Sequence, residues 1–140
     1  MKLWGWLVTS LLACVAPAQA QSEDWTTDWT TEKQANGTLV AKHKSGRAMV
    51  FVGGKKGSAD QIDDQIRALT GALPQCGATA STPIRQGKTA GSRELVAQSG
   101  LVRCRFVSGF KDGFVLIIVG IESVTGPEDA DQMVDRLAVG

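Results

Sequence analysis

Side chains that carry chemistry are sparse in this sequence. It has one histidine, His43, and three cysteines, at positions 14, 76 and 104. Histidine acts as a general base when it has a nucleophile to activate and a carboxylate to orient it, and the pattern places neither beside His43. The sequence also lacks the cysteine and histidine spacing of a zinc site and the G-x-S-x-G motif of a hydrolase. We therefore predict no catalytic residues, no metal site and no cofactor.

Residues 1–20 have the composition of a secretory signal peptide. A lysine precedes an apolar run from Leu3 to Val15, and Ala18-Gln19-Ala20 supplies small residues for cleavage. The run is shorter than the roughly 20 apolar residues of a membrane-spanning helix. We predict cleavage near Ala20, which gives a periplasmic or secreted mature chain without a transmembrane segment. A competing interpretation makes Cys14 the acylated terminus of a lipoprotein, although Leu12 fits such a cleavage site poorly.

Loss of the leader leaves Cys76 and Cys104 as an even pair in an oxidising compartment. Paired cysteines in exported proteins are usually bonded to each other, because no reducing system protects the thiols there. A nucleophilic or metal-binding thiol is the alternative, but two isolated cysteines and one histidine supply too few ligands for it. We therefore predict a Cys76–Cys104 disulfide.

The charges of the chain are balanced. Lysine and arginine number 15 and aspartate and glutamate 14, so loss of Lys2 with the leader makes the two counts equal. Balance gives no overall attraction to nucleic acid or to an anionic membrane, and we expect no nucleic-acid partner. After the leader, residues 21–37 form a polar N-terminal segment, and residues 38–140 are long enough for one domain.

Three predicted strands between Leu95 and Ser123 organise this domain. Ser99-Gly100 and Asp112-Gly113 suit the positive φ angles of two-residue hairpin turns. With these turns, one face of the sheet is apolar and contains Cys104 and Phe106. The sequence from Phe114 to Ile121 is apolar on both faces, which predicts a central strand whose second side is covered near Phe114, Leu116 and Ile118.

The same register predicts opposite charges on the second face. It sets Glu94 opposite Arg105 and Arg103 opposite Glu122. A slip of one residue would turn both arginines toward the apolar side, because successive side chains in a strand alternate between faces. Turn chemistry, alternation and charge therefore agree on one arrangement.

Further elements complete the fold prediction. A hairpin runs from Thr38 to Val52 around Ser45-Gly46, and a helix starts at Ser58 with Gln61 as the second half of a capping box. A short edge strand is expected around Ile84 to Lys88, and a second helix starts at 125–128. We predict an α+β fold with the order β-β-α-β-β-β-α, in which an antiparallel sheet is flanked by two helices and stapled by one disulfide.

Two stretches are candidate binding sites. Lys55, Lys56, Gly57 and Ser58 join a strand to a helix start, where backbone amides and lysines can hold an anion, although the phosphate-loop pattern is absent. A flexible charged loop is the alternative there. In the N-terminal segment, Trp25 and Trp29 are candidates for partner binding, since tryptophan is enriched in binding hot spots. The alternative is an edge strand whose tryptophans dock on the domain.

The order of elements, the leader and the strand pair VRCRFV and FVLIIVG resemble the PsbP-like family of small exported α/β/α domains. The resemblance covers about Thr38 to Leu137 and implies an antiparallel sheet flanked by helices. It also implies an accessory or binding role, because that family shares no catalytic set of residues.

We therefore expect a non-enzymatic exported binding or accessory protein that acts through a protein or small-ligand surface. An inhibitor or immunity protein is one alternative within this class. A small periplasmic hydrolase or lyase that uses carboxylates such as Glu94 or Asp112 is the alternative from a different class.

Overall fold

The computed structural model describes residues 28–139, with side chains through residue 137. The predicted leader, its cleavage position near Ala20, Cys14 and Trp25 lie outside the described residues.

Within residues 28–139, seven strands form one antiparallel sheet. The strands are β1 (Trp29–Lys33), β2 (Leu39–His43), β3 (Ala48–Lys56), β4 (Arg85–Gln86), β5 (Arg93–Ser99), β6 (Val102–Lys111) and β7 (Phe114–Ser123). Their order across the sheet is β1-β2-β3-β7-β6-β5-β4, so β7 is the central strand, between β3 and β6. Helices α1 (Ile62–Ala72) and α2 (Asp129–Val139) pack on opposite faces. The predicted sheet, helices and disulfide are confirmed. Strand β4 lies where a short edge strand was predicted, and β1 extends the sheet at its other edge.

Helix α1 covers the face that the sequence predicted to be apolar. A single turn of 3-10 helix, Ala59–Gln61, precedes it, and the predicted capping box between Ser58 and Gln61 is present. Ile62 and Ile66 of α1 are buried against the strands. The buried residues they join are Cys76, Leu95, Ala97, Cys104, Phe106, Val115, Ile117 and Val119. Burial of apolar side chains in this layer is the main source of its stability.

The Cys76–Cys104 disulfide lies in the same layer. Cys76 ends the short 3-10 helix Pro74–Cys76 that follows α1, and Cys104 lies on β6 with a Cα–Cα distance of 5.6 Å between them. Both cysteines are fully buried. The predicted disulfide is therefore confirmed, and it joins the segment after α1 to the sheet.

Helix α2 covers the second face of the sheet. Ala130, Met133 and Val134 pack against a buried set of strand residues, Ala48, Val50, Val107 and Ile118. Gly120 permits this contact, because a Cβ built on it would lie only 2.8 Å from a methyl carbon of Val134. The missing side chain lets the helix approach the central strand closely.

The register of the three-strand meander is partly as predicted. Arg103 pairs with Glu122, Cys104 with Ile121 and Phe106 with Val119, which confirms the β6–β7 hairpin. The β5–β6 turn is Gly100-Leu101 instead of Ser99-Gly100, since Ser99 pairs with Val102. Gly100 has a φ of 59° at the first turn position, where the type II′ turn requires glycine. The correction shifts β5 by two residues and leaves every side chain on its predicted face.

The start of α2 also differs from the prediction. The helix was predicted to start at 125–128, but it begins at Asp129, and the Thr125 hydroxyl pairs with the Ser123 hydroxyl. The backbone N–H of Ala130 donates instead to Glu122 Oε1 at 3.0 Å. A carboxylate from the end of β7 therefore satisfies a free amide of the first helical turn.

The cover over β7 ends earlier than expected. Ile118 is buried under α2, as predicted, but the neighbouring face residues Leu116 and Phe114 are 37% and 43% exposed. The expected cover at these two residues is wrong, because the packed part of α2 reaches only as far as the row of Ile118.

Candidate functional site

The sheet has a projecting end formed by β3, β6 and β7. Strand β2 pairs with β3 only as far as Val52, and β5 pairs with β6 only as far as Ser108. The last residues of the three inner strands therefore extend beyond their neighbours. We define the sheet tip as the exposed cationic and apolar residues in this region, Lys55, Lys56, Phe110, Lys111, Phe114 and Leu116.

On the α2 face of the sheet tip, Phe114 lies between two lysines. Lys56 of β3 and Lys111 of β6 are its Cα partners in the two neighbouring strands. Opposite residues in adjacent antiparallel strands have Cβ atoms about 5 Å apart and point to the same side. An exposed aromatic ring is thus flanked by a cationic side chain on each side.

The next row of this face consists of Leu116 between two glycines. Gly54 and Gly109 are its Cα partners and have no side chains to cover it. A Cβ built on Gly54 would lie 3.0 Å from Leu116 Cδ2, so the leucine leans over the glycine backbone. The Phe114 and Leu116 rows together form a shallow apolar shelf beside α2.

On the α1 face, the sheet tip presents Phe110 and Lys55. Both are Cα partners of Val115, which is buried. Phe110 is 42% exposed, because β5 ends before it and no strand of residues 28–139 covers its outer side. Aromatic and cationic side chains are therefore present on both faces of the same sheet end.

The lysines of the sheet tip are not neutralised by ion pairs. Among residues 28–139, none of Lys55, Lys56 and Lys111 lies within ion-pair distance of a carboxylate. The acidic residue at the apex is Asp112, which has a φ of 54° in the β6–β7 turn. On the strand ends and the β6–β7 turn, three lysines outnumber Asp112, and Asp60 follows in the segment that enters α1. The strand ends therefore have a local positive charge although the whole chain is nearly neutral.

The four residues predicted to bind an anion do not converge on one point. Lys55 and Lys56 are successive strand residues and point to opposite faces. The Gly57 amide donates to the Gly113 carbonyl at 3.1 Å, and the Ser58 amide donates to Gln61 Oε1 at 2.9 Å. Because both amides already have acceptors, only the two lysine side chains of this stretch are available to bind an anion. Anion binding there stays a prediction.

Trp29, one of the two predicted partner-binding tryptophans, lies in the edge strand β1. Its ring makes an edge contact with His43 at a centroid distance of 5.0 Å and packs beside the α2 core layer. Trp29 is half-buried, so its position matches the alternative prediction of an edge strand whose tryptophans dock on the domain. Partner binding by Trp25 and Trp29 stays a prediction.

His43 braces the β2–β3 turn against the start of α2. Its Nδ1 accepts a hydrogen bond from the Ser45 amide at 3.1 Å and lies 2.9 Å from Ser45 Oγ. Its Nε2 lies 3.6 Å from Asp129 Oδ2. The Ser45 hydroxyl oxygen also accepts the Arg47 amide at 3.1 Å, so these polar groups are engaged in and beside the connection between β2 and β3. This network stabilises the hairpin.

A network of arginines and carboxylates lies beneath α2. Arg105 is only 5% exposed and binds Glu94 at 3.0 Å and Asp135 at 2.7 Å. Burial lowers the pKa of Arg105, but its hydrogen bonds with the two carboxylates prevail and the pKa is raised. Arg103 forms ion pairs with Glu122 and Asp131. Glu94, a carboxylate considered for catalysis, is thus committed to a structural ion pair.

Beside this network lies an open polar depression of about 200 Å³. Its wall includes Arg103, Gln98 and the buried Glu122. Burial, the largest effect, raises the pKa of Glu122, while the Ala130 amide and Arg103 act in the opposite direction. Since its oxygens bind the first turn of α2 and Arg103, Glu122 anchors the helix to the sheet.

The comparisons with known proteins add no relative. No protein-family model matches the chain. The search of the curated proteins also finds no match.

Among residues 28–139, no set of three histidine, cysteine, aspartate or glutamate side chains is grouped to hold a metal ion. None of the helices in this region has the length and apolar character needed to cross a membrane.

Most of the sheet tip was missed from the sequence. Only Lys55 and Lys56 were singled out, whereas Phe114 and Leu116 were expected under a helix. A usable signal was the pair of phenylalanines, Phe110 and Phe114, on the two sides of the Asp112-Gly113 turn. Large aromatic residues at both ends of a hairpin turn lie beyond the reach of a helix packed on the middle of the sheet.

Proposed function

We propose that the protein is a non-enzymatic exported binding or accessory protein whose binding surface is the sheet tip. The observation that carries the proposal is the exposure of Phe114 between Lys56 and Lys111. Exposed apolar groups gathered at one place and rimmed by charge mark interaction sites more often than single exposed residues do. The leader pattern and the Cys76–Cys104 disulfide support export.

The chemistry of the sheet tip favours a partner with negative charge. Unpaired lysines attract an anionic surface over a distance of about a Debye length, which raises the association rate. Removal of Phe110, Phe114 and Leu116 from water then supplies affinity. The two kinds of residue thus serve successive stages of one binding event.

Kinship with the PsbP-like family is part of the proposal. Support comes from the antiparallel sheet with a helix on each face, which is the architecture that the resemblance implies. An accessory role fits a chain in which the buried Glu122 and the partly exposed Glu94 and Asp135 are engaged in ion pairs.

The test compares what the protein and a sheet-tip variant retain from an extract of the cell envelope. The variant combines Lys56→Ala, Lys111→Ala and Phe114→Thr, which removes the ring and both flanking charges without a change in the core. A control combines Lys42→Ala, Lys44→Ala and Leu101→Thr, which removes two lysines and one large apolar side chain at exposed positions away from the sheet tip.

We expect the wild type and the control to retain the same material, protein or lipid, and the sheet-tip variant to lose it. Equal retention by all three proteins would contradict the assignment of the sheet tip as the binding surface. Circular dichroism of each variant verifies that the fold is intact before the comparison.

A further inference from the structure

We infer that the partner of the sheet tip is an anionic lipid surface, an inference that rests on the proposed function. Its apolar residues lie on both faces of the sheet, with Phe114 and Leu116 on the α2 face and Phe110 on the α1 face. A flat protein surface would cover one face and leave the other ring in water. A fluid interface closes around a projecting sheet end from both sides, so it removes all three side chains from water.

The lysines are distributed in the same two-sided way. Lys55 lies on the α1 face, and Lys56 and Lys111 lie on the α2 face. A lysine has a long apolar stem that can run along a phenylalanine while its ammonium group stays in a polar layer. Lipid phosphates lie at that level above the acyl chains, so phenylalanine and lysine reach their preferred surroundings at one depth.

The sheet tip is held rigidly, which favours binding. The apex residue Gly113 accepts a hydrogen bond from the Gly57 amide at 3.1 Å, so the β6–β7 turn is tied to the segment that enters α1. Asp112 and Gly113 have φ angles of 54° and 84°, which are typical of a tight two-residue turn. A preformed end loses little conformational entropy when it contacts a surface.

A second basic cluster at the other end of the sheet lacks these features. Lys42, Lys44 and Arg47 surround the β2–β3 turn, but Lys44 binds Asp28 at 2.8 Å. The turn between them is Ser45-Gly46, which presents no apolar side chain. The hydrogen bond and charge of Asp28 raise the pKa of Lys44, which is satisfied within the protein. This cluster is therefore the control for basic residues at a sheet end that has no exposed aromatic side chain in its turn and one of whose lysines is already paired.

The test uses the protein purified after export and co-sedimentation with lipid vesicles. One set of vesicles contains phosphatidylglycerol mixed with phosphatidylcholine, and the other contains phosphatidylcholine alone. We expect binding to the anionic vesicles that weakens as salt is raised, because screening shortens the reach of the lysines. Binding to the neutral vesicles is expected to be weaker.

Two sets of variants separate the contributions of charge and apolar contact. Combined Lys55→Ala, Lys56→Ala and Lys111→Ala should lower partitioning onto anionic vesicles about fivefold for each lysine, or about a hundredfold in total. Combined Phe110→Thr and Phe114→Thr should lower it on both kinds of vesicle. The controls are the triple alanine variant of Lys42, Lys44 and Arg47 and the Leu101→Thr variant, which should both bind like the wild type.

The outcomes distinguish this inference from the proposed function. The lipid partner is supported if the sheet-tip variants lose vesicle binding and the controls keep it. Every variant has the same N-terminal residues, so a lipid group attached to the N-terminus would affect all of them equally. Absence of vesicle binding, combined with sheet-tip-dependent retention of an envelope protein, overturns the lipid partner and leaves the proposed function standing. If the control variants lose vesicle binding as much as the sheet-tip variants do, the lipid inference is overturned. If no variant changes what is retained from the envelope extract, both the lipid inference and the proposed function are overturned.

Discussion

Arg105 binds Glu94 along a diagonal of the sheet. The Cα partner of Arg105 is Val96 and that of Glu94 is Val107, yet Arg105 Nη2 lies 3.0 Å from Glu94 Oε1. The predicted ion pair is present for two reasons. The two-residue shift of β5 keeps each side chain on its predicted face of the sheet, and an arginine side chain is long enough to reach a diagonal neighbour. Asp135 of α2 binds the same guanidinium at 2.7 Å, so Arg105 links β5 to the helix.

Replacement of Arg105 by methionine should lower the free energy of unfolding by about 3 kcal/mol. The change leaves Glu94 and Asp135 without their shared cation, and loss of one partner from a buried ion pair is strongly destabilising. Urea unfolding followed by tryptophan fluorescence measures the effect. The same substitution at Arg136, which is exposed on α2, should change stability by no more than about 0.5 kcal/mol. Equal effects of the two substitutions would refute a special role for Arg105.

Removal of the disulfide should cost about 3.5 kcal/mol. Cys76 and Cys104 are separated by 28 residues, and that estimate is the loop-closure entropy that the bond removes from the unfolded chain. The Cys76→Ala and Cys104→Ala double variant avoids a buried hydroxyl group, since both positions are fully buried. Denaturation of the double variant beside the oxidised wild type measures the difference. A loss below about 1 kcal/mol would show that the bond adds little to the packing around it.

Substitution of Glu122 by glutamine should change stability in a pH-dependent way. Burial, with the charge of Asp131, raises the pKa of Glu122 above its ordinary value of 4.5. The favourable contribution of a group with a raised pKa is present below its unfolded pKa and is lost as the pH rises through the folded pKa. The glutamine still accepts the Ala130 amide and does not titrate. The stability of the glutamine variant relative to wild type should therefore increase as the pH rises through the raised pKa of Glu122.

Asp135 provides a control of opposite sign. Burial acts to raise its pKa, but hydrogen bonds from Lys88 and Arg105 prevail and lower it below 3.8. Its contribution is present above the unfolded pKa and is lost as the pH falls through the folded pKa. Asp135→Asn should thus cost about 1 kcal/mol near neutral pH, a value reduced for its partial exposure, and less in acid. Parallel pH profiles for the two variants would contradict both assignments.

Two glycine substitutions should have opposite effects on stability. An added Cβ at Gly120 would meet Val134 at 2.8 Å beneath α2, so Gly120→Ala should destabilise the protein by about 1 to 3 kcal/mol through overpacking. An added Cβ at Gly71 in α1 meets nothing within 4 Å, so Gly71→Ala should stabilise by about 0.5 to 1 kcal/mol. Thermal unfolding of both variants measures the contrast. A neutral Gly120→Ala variant would show that α2 can move away from the sheet without cost.

The sequence by itself determined which face each residue of the inner strands occupies. The alternation along β6 and β7 sets Cys104 and Phe106 on the face opposite Arg103 and Arg105, and the two-residue turn between the strands sets their register. The Ser58 capping box and the disulfide could also be predicted from the sequence. The capping box depends on local spacing, and the disulfide on the number of cysteines.

Only the tertiary structure decided how far each helix covers its face. Strand alternation has a period of two and assigns a side, but it contains no information about the length of sheet that a helix packed on that side can reach. Helix α2 ends its packing at Ile118, so Phe114 and Leu116 stay exposed and join Lys56 and Lys111 in the sheet tip. The same helix encloses Arg105, since the carboxylates on α2 make burial of that cation favourable.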